Sequence, residues 1–174
     1  MIQPTHSSRR ILLPARLWFI WLSLILALVL NMLPIGRIPV LPDWVALVLT
    51  FWCVHQPLRV GMGAAFLLGL LMDVVDGSVM GQHALAYVPL AFAAGGLSRR
   101  ILWFPLGQQA LHVLPMLISA QLIMVAARVF GGGEFPGLLY FVGSFLAVAL
   151  WHPMTYLLLL PQYRPVERDE NRPI

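Results

Sequence analysis

The sequence predicts an all-α membrane protein built from six transmembrane helices, and three observations lead there. Of 174 residues, 60% are hydrophobic and only 10% are charged, whereas soluble domains carry roughly 25% charged residues. The charges fall between six uncharged stretches, at 17–36, 44–58, 60–72, 77–98, 101–127 and 135–163. The arginines are distributed unevenly among the gaps. With six crossings and both termini cytoplasmic, Arg9, Arg10, Arg16, Arg59, Arg99, Arg100, Arg164, Arg168 and Arg172 lie inside, and only Arg37 and Arg128 lie outside. Such an excess of cytoplasmic arginine is what orients polytopic proteins.

Each element has its own justification. The first stretch is long and runs through Asn31-Met32-Leu33-Pro34 without a small-residue cleavage site, so it reads as an anchor. Ser8-Arg9-Arg10 before it is similar to a twin-arginine export signal, but the apolar core is too long for a signal peptide. Pro34, Gly36, Pro39 and Pro42 make the next loop non-helical. The second and third stretches are short, with 15 and 13 uncharged residues against the ~20 that cross the hydrocarbon core. To span, their helices must run through Asp43 and Asp73. A re-entrant hairpin would move only Arg59 across the membrane, so the charges leave those two segments open. Gln56-Pro57 supplies a turn between them.

Pro89, Pro115 and Pro153 predict kinks or ends within the last three segments. Gly131-Gly132-Gly133, Pro136 and Gly137 form a loop. Trp18, Trp21, Trp44, Trp103 and Trp151 sit near predicted ends, as interfacial aromatics do. His112, Ser119, Gln121 and His152 are polar groups in or near the apolar layer, read as interhelical hydrogen-bonders or, alternatively, as cavity lining. The domain organisation is then a cytoplasmic tail at 1–14, one six-helix membrane domain at 15–160 and a disordered cytoplasmic tail at 161–174. The lone cysteine, Cys53, reads as a small buried hydrophobe. All 11 basic residues are arginines and form no stripe, which excludes a nucleic-acid partner.

The stretch Gly69–Leu85, GLLMDVVDGSVMGQHAL, concentrates the polar residues. Gly61, Ala65, Gly69 and Asp73 are spaced four apart and share one helix face. This helix-packing stripe turns Asp73 toward protein; it serves either a partner helix or the bundle itself. Ala91, Ala93 and Gly95 offer a second such surface. Asp76-Gly77 is a turn signal that ends the third helix, and Gly81 precedes Gln82-His83, where the fourth begins. Asp76 or Ser78 is expected to satisfy the free N–H groups of that start. Read this way the stretch is helix end, turn and helix start; a ligand or catalytic site is the competing reading.

Enzyme chemistry finds little to work with. Asp73, Asp76 and Gly77 match the D-x-x-D-G opening of CDP-alcohol phosphotransferases, but no aspartate follows between 84 and 98. Two carboxylates are too few for a hard divalent ion. There is no nucleophile elbow, phosphate-binding loop or HExxH. The chain is therefore read as a non-enzyme without cofactor or metal.

Residues 42–104 resemble the MreD family of bacterial rod shape-determining membrane proteins. The resemblance rests on Pro42-Asp43-Trp44, Trp52, Pro57, Gly69-Leu70-Leu71-Met72-Asp73, Gly77-Ser78 and Gly81-Gln82-His83-Ala84-Leu85 in that order. It implies a non-enzymatic scaffold of the cell-wall elongation complex in the bacterial inner membrane, acting with an MreC-like single-span protein to regulate peptidoglycan synthesis. Through that complex it implies indirect contact with the MreB cytoskeleton, a SEDS glycosyltransferase and a class B penicillin-binding protein. It also implies a fold similar to the substrate-binding component of energy-coupling-factor transporters. Asp73, Asp76, Gly77, Gly81, Gln82 and His83 are then structural or interface positions. By the same fold analogy, an outward cavity near Asp73 and His83 would hold a small molecule or lipid head group. The alternative reading is a substrate-binding subunit of a vitamin transporter.

Overall fold

Six α-helices account for most of residues 15–33 and 41–162, which the computed structural model describes. They are α1 (Leu17–Met32), α2 (Trp44–His55), α3 (Met62–Asp76), α4 (Gln82–Leu102), α5 (Leu106–Phe130) and α6 (Val142–Leu159). A 3-10 turn, Leu138–Phe141, leads into α6, and another, Leu160–Gln162, follows it. There is no strand among the described residues, so the all-α expectation holds. The expected tail begins at 161, yet the closing turn reaches Gln162, which is buried and donates to Leu158 O at 3.4 Å. Arg9, Arg10, Pro34, Gly36, Arg37, Pro39, Arg164, Arg168 and Arg172 lie outside the described residues.

Packing follows from which helices are apolar all round. In α2, every residue from Val45 to Val54 is buried, so this helix is the core of the bundle. It packs on α1 and α4, with lighter contact to α5 and α6. α3 packs on α4, α4 on α5, and α5 on α6. Trp52 in α2 is fully buried and donates Nε1–H to Ser23 Oγ of α1 at 2.8 Å. Cys53 is a free, fully buried thiol, as read. Trp151 departs from expectation: it is fully buried in α6 against Phe51, not interfacial. Trp18 and Trp103 are exposed.

The outer surface is apolar. On α1, Leu17, Trp18, Leu22, Ile25 and Leu26 are each more than half exposed, and on α3 so are Leu67, Leu71 and Val74. Stripes of that kind have no stable place in water and are the ordinary lipid-facing surface of a membrane bundle.

Helix lengths divide the six. At 1.5 Å per residue, the 25 residues of α5 reach about 37 Å, but the 12 of α2 reach only about 18 Å. The hydrocarbon core is ~30 Å thick. Among the described residues, Leu106–Phe130 is long and apolar enough to cross alone. Leu138–Ala149 and Trp151–Gln162 do so together, with a 45° bend between them. Pro153 accounts for the bend, since it removes the bond to Ala149 O and its ring crowds that carbonyl. Pro89 and Pro115 lie within α4 and α5 without ending them.

Candidate functional site

The α3–α4 junction is built around one carboxylate. α3 ends at Asp76 because Gly77 takes the left-handed conformation (φ 58°), which residues with a Cβ adopt poorly. The Gly77 and Ser78 N–H groups both return to Asp73 O. Gly81, again at positive φ (96°), starts α4. The first N–H groups of a helix have no partner inside it. Here they find Asp73. Its Oδ2 accepts from Gly81 N at 2.8 Å, and its Oδ1 accepts from His83 N at 2.8 Å. Ser78 Oγ donates to Oδ1 at 3.1 Å, and His83 Nδ1 lies 2.9 Å from it. With Asp73 ionised, His83 carries its proton on Nδ1. Asp73 is 3% exposed and engages four donors, so it is a cap supplied by the preceding helix.

This revises the expected caps. Neither Asp76 nor Ser78 caps α4. Ser78 donates to Asp73, and Asp76 is exposed with Oδ2 3.4 Å from His83 Nε2. Gln82 and His83 are both buried at the helix start.

The stripe beneath is turned inward. Ala65 is fully buried. A Cβ on Gly69 would lie 2.4 Å from Ala84 Cα, so α3 and α4 meet backbone to backbone there. Gly61, at the helix start, has nothing within 4 Å of a Cβ. On α4, Ala91 and Ala94 are buried, and a Cβ on Gly95 would sit 3.8 Å from Pro57 Cβ. Ala65, Gly69 and Ala91 thus serve contacts inside the bundle, while Gly61 stands open.

A second carboxylate joins the same end of the molecule. Asp43 caps α2 by accepting from Ala46 N at 3.0 Å. Asn31, in the last turn of α1, donates Nδ2–H to Asp43 Oδ1 and accepts Trp44 N–H at Oδ1, both at 3.0 Å. Tyr87 of α4 donates its hydroxyl to Asp43 Oδ2 at 2.6 Å. The Tyr87 ring packs edge-on against His83, 5.8 Å between centroids. Asn31, Asp43, Asp73, His83 and Tyr87 therefore form one polar layer across the ends of α1–α4. Contrary to what its short uncharged stretch suggests, the second helix does not run through Asp43; it starts at Trp44 with Asp43 as its cap, whereas α3 does run through Asp73. Asp43 and Tyr87 lie 44 residues apart, and no local pattern links them.

Of the four polar residues noted along the last segments, one bonds between helices. Gln121 of α5 donates to Tyr140 O at 3.2 Å and accepts from Ser144 Oγ of α6 at 2.7 Å. His112 and Ser119 turn back to carbonyls of α5, Gln108 O and Met116 O. A cavity of about 10 Å³ lies beside Gln121, Ser144 and Asp43; Asp73 and His83 do not line it.

The fold and this layer define a helical membrane protein whose carboxylates Asp43 and Asp73 tie helix ends together. The family model for rod shape-determining protein MreD matches residues 10–160. A curated relative, rod shape-determining protein MreD of Haemophilus influenzae, is 31% identical over 157 residues, covering 86% of this chain and 94% of its own. No solved structure matches the chain. The chain belongs to the MreD family of rod shape-determining proteins.

Proposed function

We propose that this chain is a non-enzymatic scaffold of the wall-elongation complex, held in the bacterial inner membrane by six crossings with both termini cytoplasmic. In this reading it binds an MreC-like single-span protein and regulates the peptidoglycan synthases through it, with MreB, a SEDS glycosyltransferase and a class B penicillin-binding protein as indirect partners. The six-crossing arrangement keeps the likeness to energy-coupling-factor substrate-binding components. The observation that carries the reading is the use made of Asp73. The most reactive-looking residue of the motif engages four donors within 3.1 Å, and it is given over to architecture within a rod shape-determining family.

The short α2 and α3 fit a six-crossing bundle if their ends are met by polar layers and locally thinned lipid. The vitamin-transporter alternative draws no such support. Its ligand would need a pocket of roughly 300 Å³ or more, against the cavity of about 10 Å³. Affinity purification from native lipid tests the proposal. Recovery of a single-span MreC-like protein with wall synthases is the expected result; recovery of an ATPase pair with a coupling protein would replace it. Reaction of a cysteine at position 56 with an impermeant label from the outer side alone would overturn the six-crossing topology.

A further inference from the structure

The cavity between α2, α5 and α6 is polar where it touches Asp43, Gln121 and Ser144, and small where Ala120, Gly143 and Ala147 close it. Its volume of about 10 Å³ is room for one water-sized particle. The hydrogen-bond capacity left at its walls is predominantly that of acceptors. Asp43 uses three acceptor positions, for Ala46 N, Asn31 Nδ2 and Tyr87 Oη, which leaves a carboxylate one of about four. Ser144 gives its proton to Gln121 Oε1 and keeps its lone pairs, and that Oε1 keeps a second one. Gln121 Nε2 is turned to Tyr140 O.

Position adds to the case. Leu117, Ala120, Gln121 and Met124, which line the cavity, occupy the middle of α5. Asp43 reaches the cavity from the polar layer at the ends of α1–α4, and no ion pair reaches it among the described residues. A half-buried carboxylate is costly unless something meets its charge. Ser144 and Gln121 are more than nine-tenths buried, and in an otherwise apolar lining they and Asp43 are the polar partners an occupant would have.

We propose that this cavity is a binding site for one small occupant that meets acceptors, a water molecule donating its protons or a monovalent cation of its size, bridging Asp43 to Ser144 and Gln121. The occupant links α2 to the α5–α6 pair, which otherwise touch lightly. The inference is independent of the partners assigned above.

The test uses the full chain in lipid nanodiscs. A density map of the wild-type protein is expected to hold a peak within hydrogen-bond distance of Asp43 and of Ser144 or Gln121. The unfolding midpoint, measured in choline chloride and in sodium chloride at equal ionic strength, then names the occupant. A midpoint raised by sodium in the wild type and not in Ser144→Ala identifies a cation. A peak with equal midpoints identifies water. A cavity without a peak, with equal midpoints in the two salts, overturns the proposal.

Discussion

Two helix junctions at the same end of the bundle solve one problem differently. Between α3 and α4 the chain turns in five residues, Gly77–Gly81, and a buried carboxylate closes the turn. Between α5 and α6 the connection is longer, and the contact is a neutral amide–hydroxyl pair, Gln121 with Ser144. Depth separates them. Asp73 is three residues from the end of α3, within reach of a polar end layer. Gln121 is nine residues from the end of α5, about 13 Å at 1.5 Å per residue. The α3–α4 turn must also satisfy the free N–H groups of a helix start, which a carboxylate does, whereas Gln121 inside α5 needs only a neutral partner.

The difference can be broken most severely at Asp73. Asp73→Ala strands the Gly81 and His83 N–H groups, and with charge-assisted bonds near 1.5–3 kcal/mol each the loss is expected to be about 3 kcal/mol. Thermal unfolding in detergent reads it; a change under 1 kcal/mol would mean that water replaces the cap. Gly69→Val comes next. Its Cβ would meet the α4 backbone at 2.4 Å, and overpacking of this kind costs about 1–3 kcal/mol. Crosslinking between cysteines placed on α3 and α4 should fall with it, and unchanged crosslinking would show that the helices do not meet there.

Smaller changes sharpen the comparison. Ser144→Ala removes one neutral hydrogen bond and is expected to cost about 1 kcal/mol. If it matches Asp73→Ala in the same unfolding assay, the charged and neutral junctions are equivalent and the distinction between them fails. Gly63→Ala should act in the opposite direction. Nothing lies within 4 Å of its Cβ, so the substitution is expected to stabilise α3 by about 0.5 kcal/mol. Loss of stability there would place an unseen neighbour against that face.

Much of the fold is legible in the sequence because lipid makes the requirement simple: apolar residues run on until a charge or a glycine–proline cluster interrupts them. The six helices of the described residues largely follow the six uncharged stretches for that reason, though α3 runs on through Asp73 to Asp76, α4 through Arg99 and Arg100, and α5 through Arg128. The turn at Gly77 is legible as well, since Asp-Gly favours the left-handed residue that ends α3. The cap itself is not. Capping signatures are read over three or four residues, but Asp73 reaches His83 across ten. Trp151 shows the same limit. A tryptophan near a segment end looks identical whether it faces lipid head groups or, as here, Phe51 in the core.

By itself, then, the sequence determined the all-α class, the inward turn of Asp73 and the family. It did so through composition, period and an ordered motif, each local to a stretch of chain. Only the tertiary structure decided that α2 is the central helix, that Asn31, Asp43 and Tyr87 share a layer with Asp73 and His83, and that Gly69 meets the α4 backbone. Those facts depend on which helices become neighbours. Neighbours are chosen by the packing of whole faces, and no single stretch of sequence carries that choice.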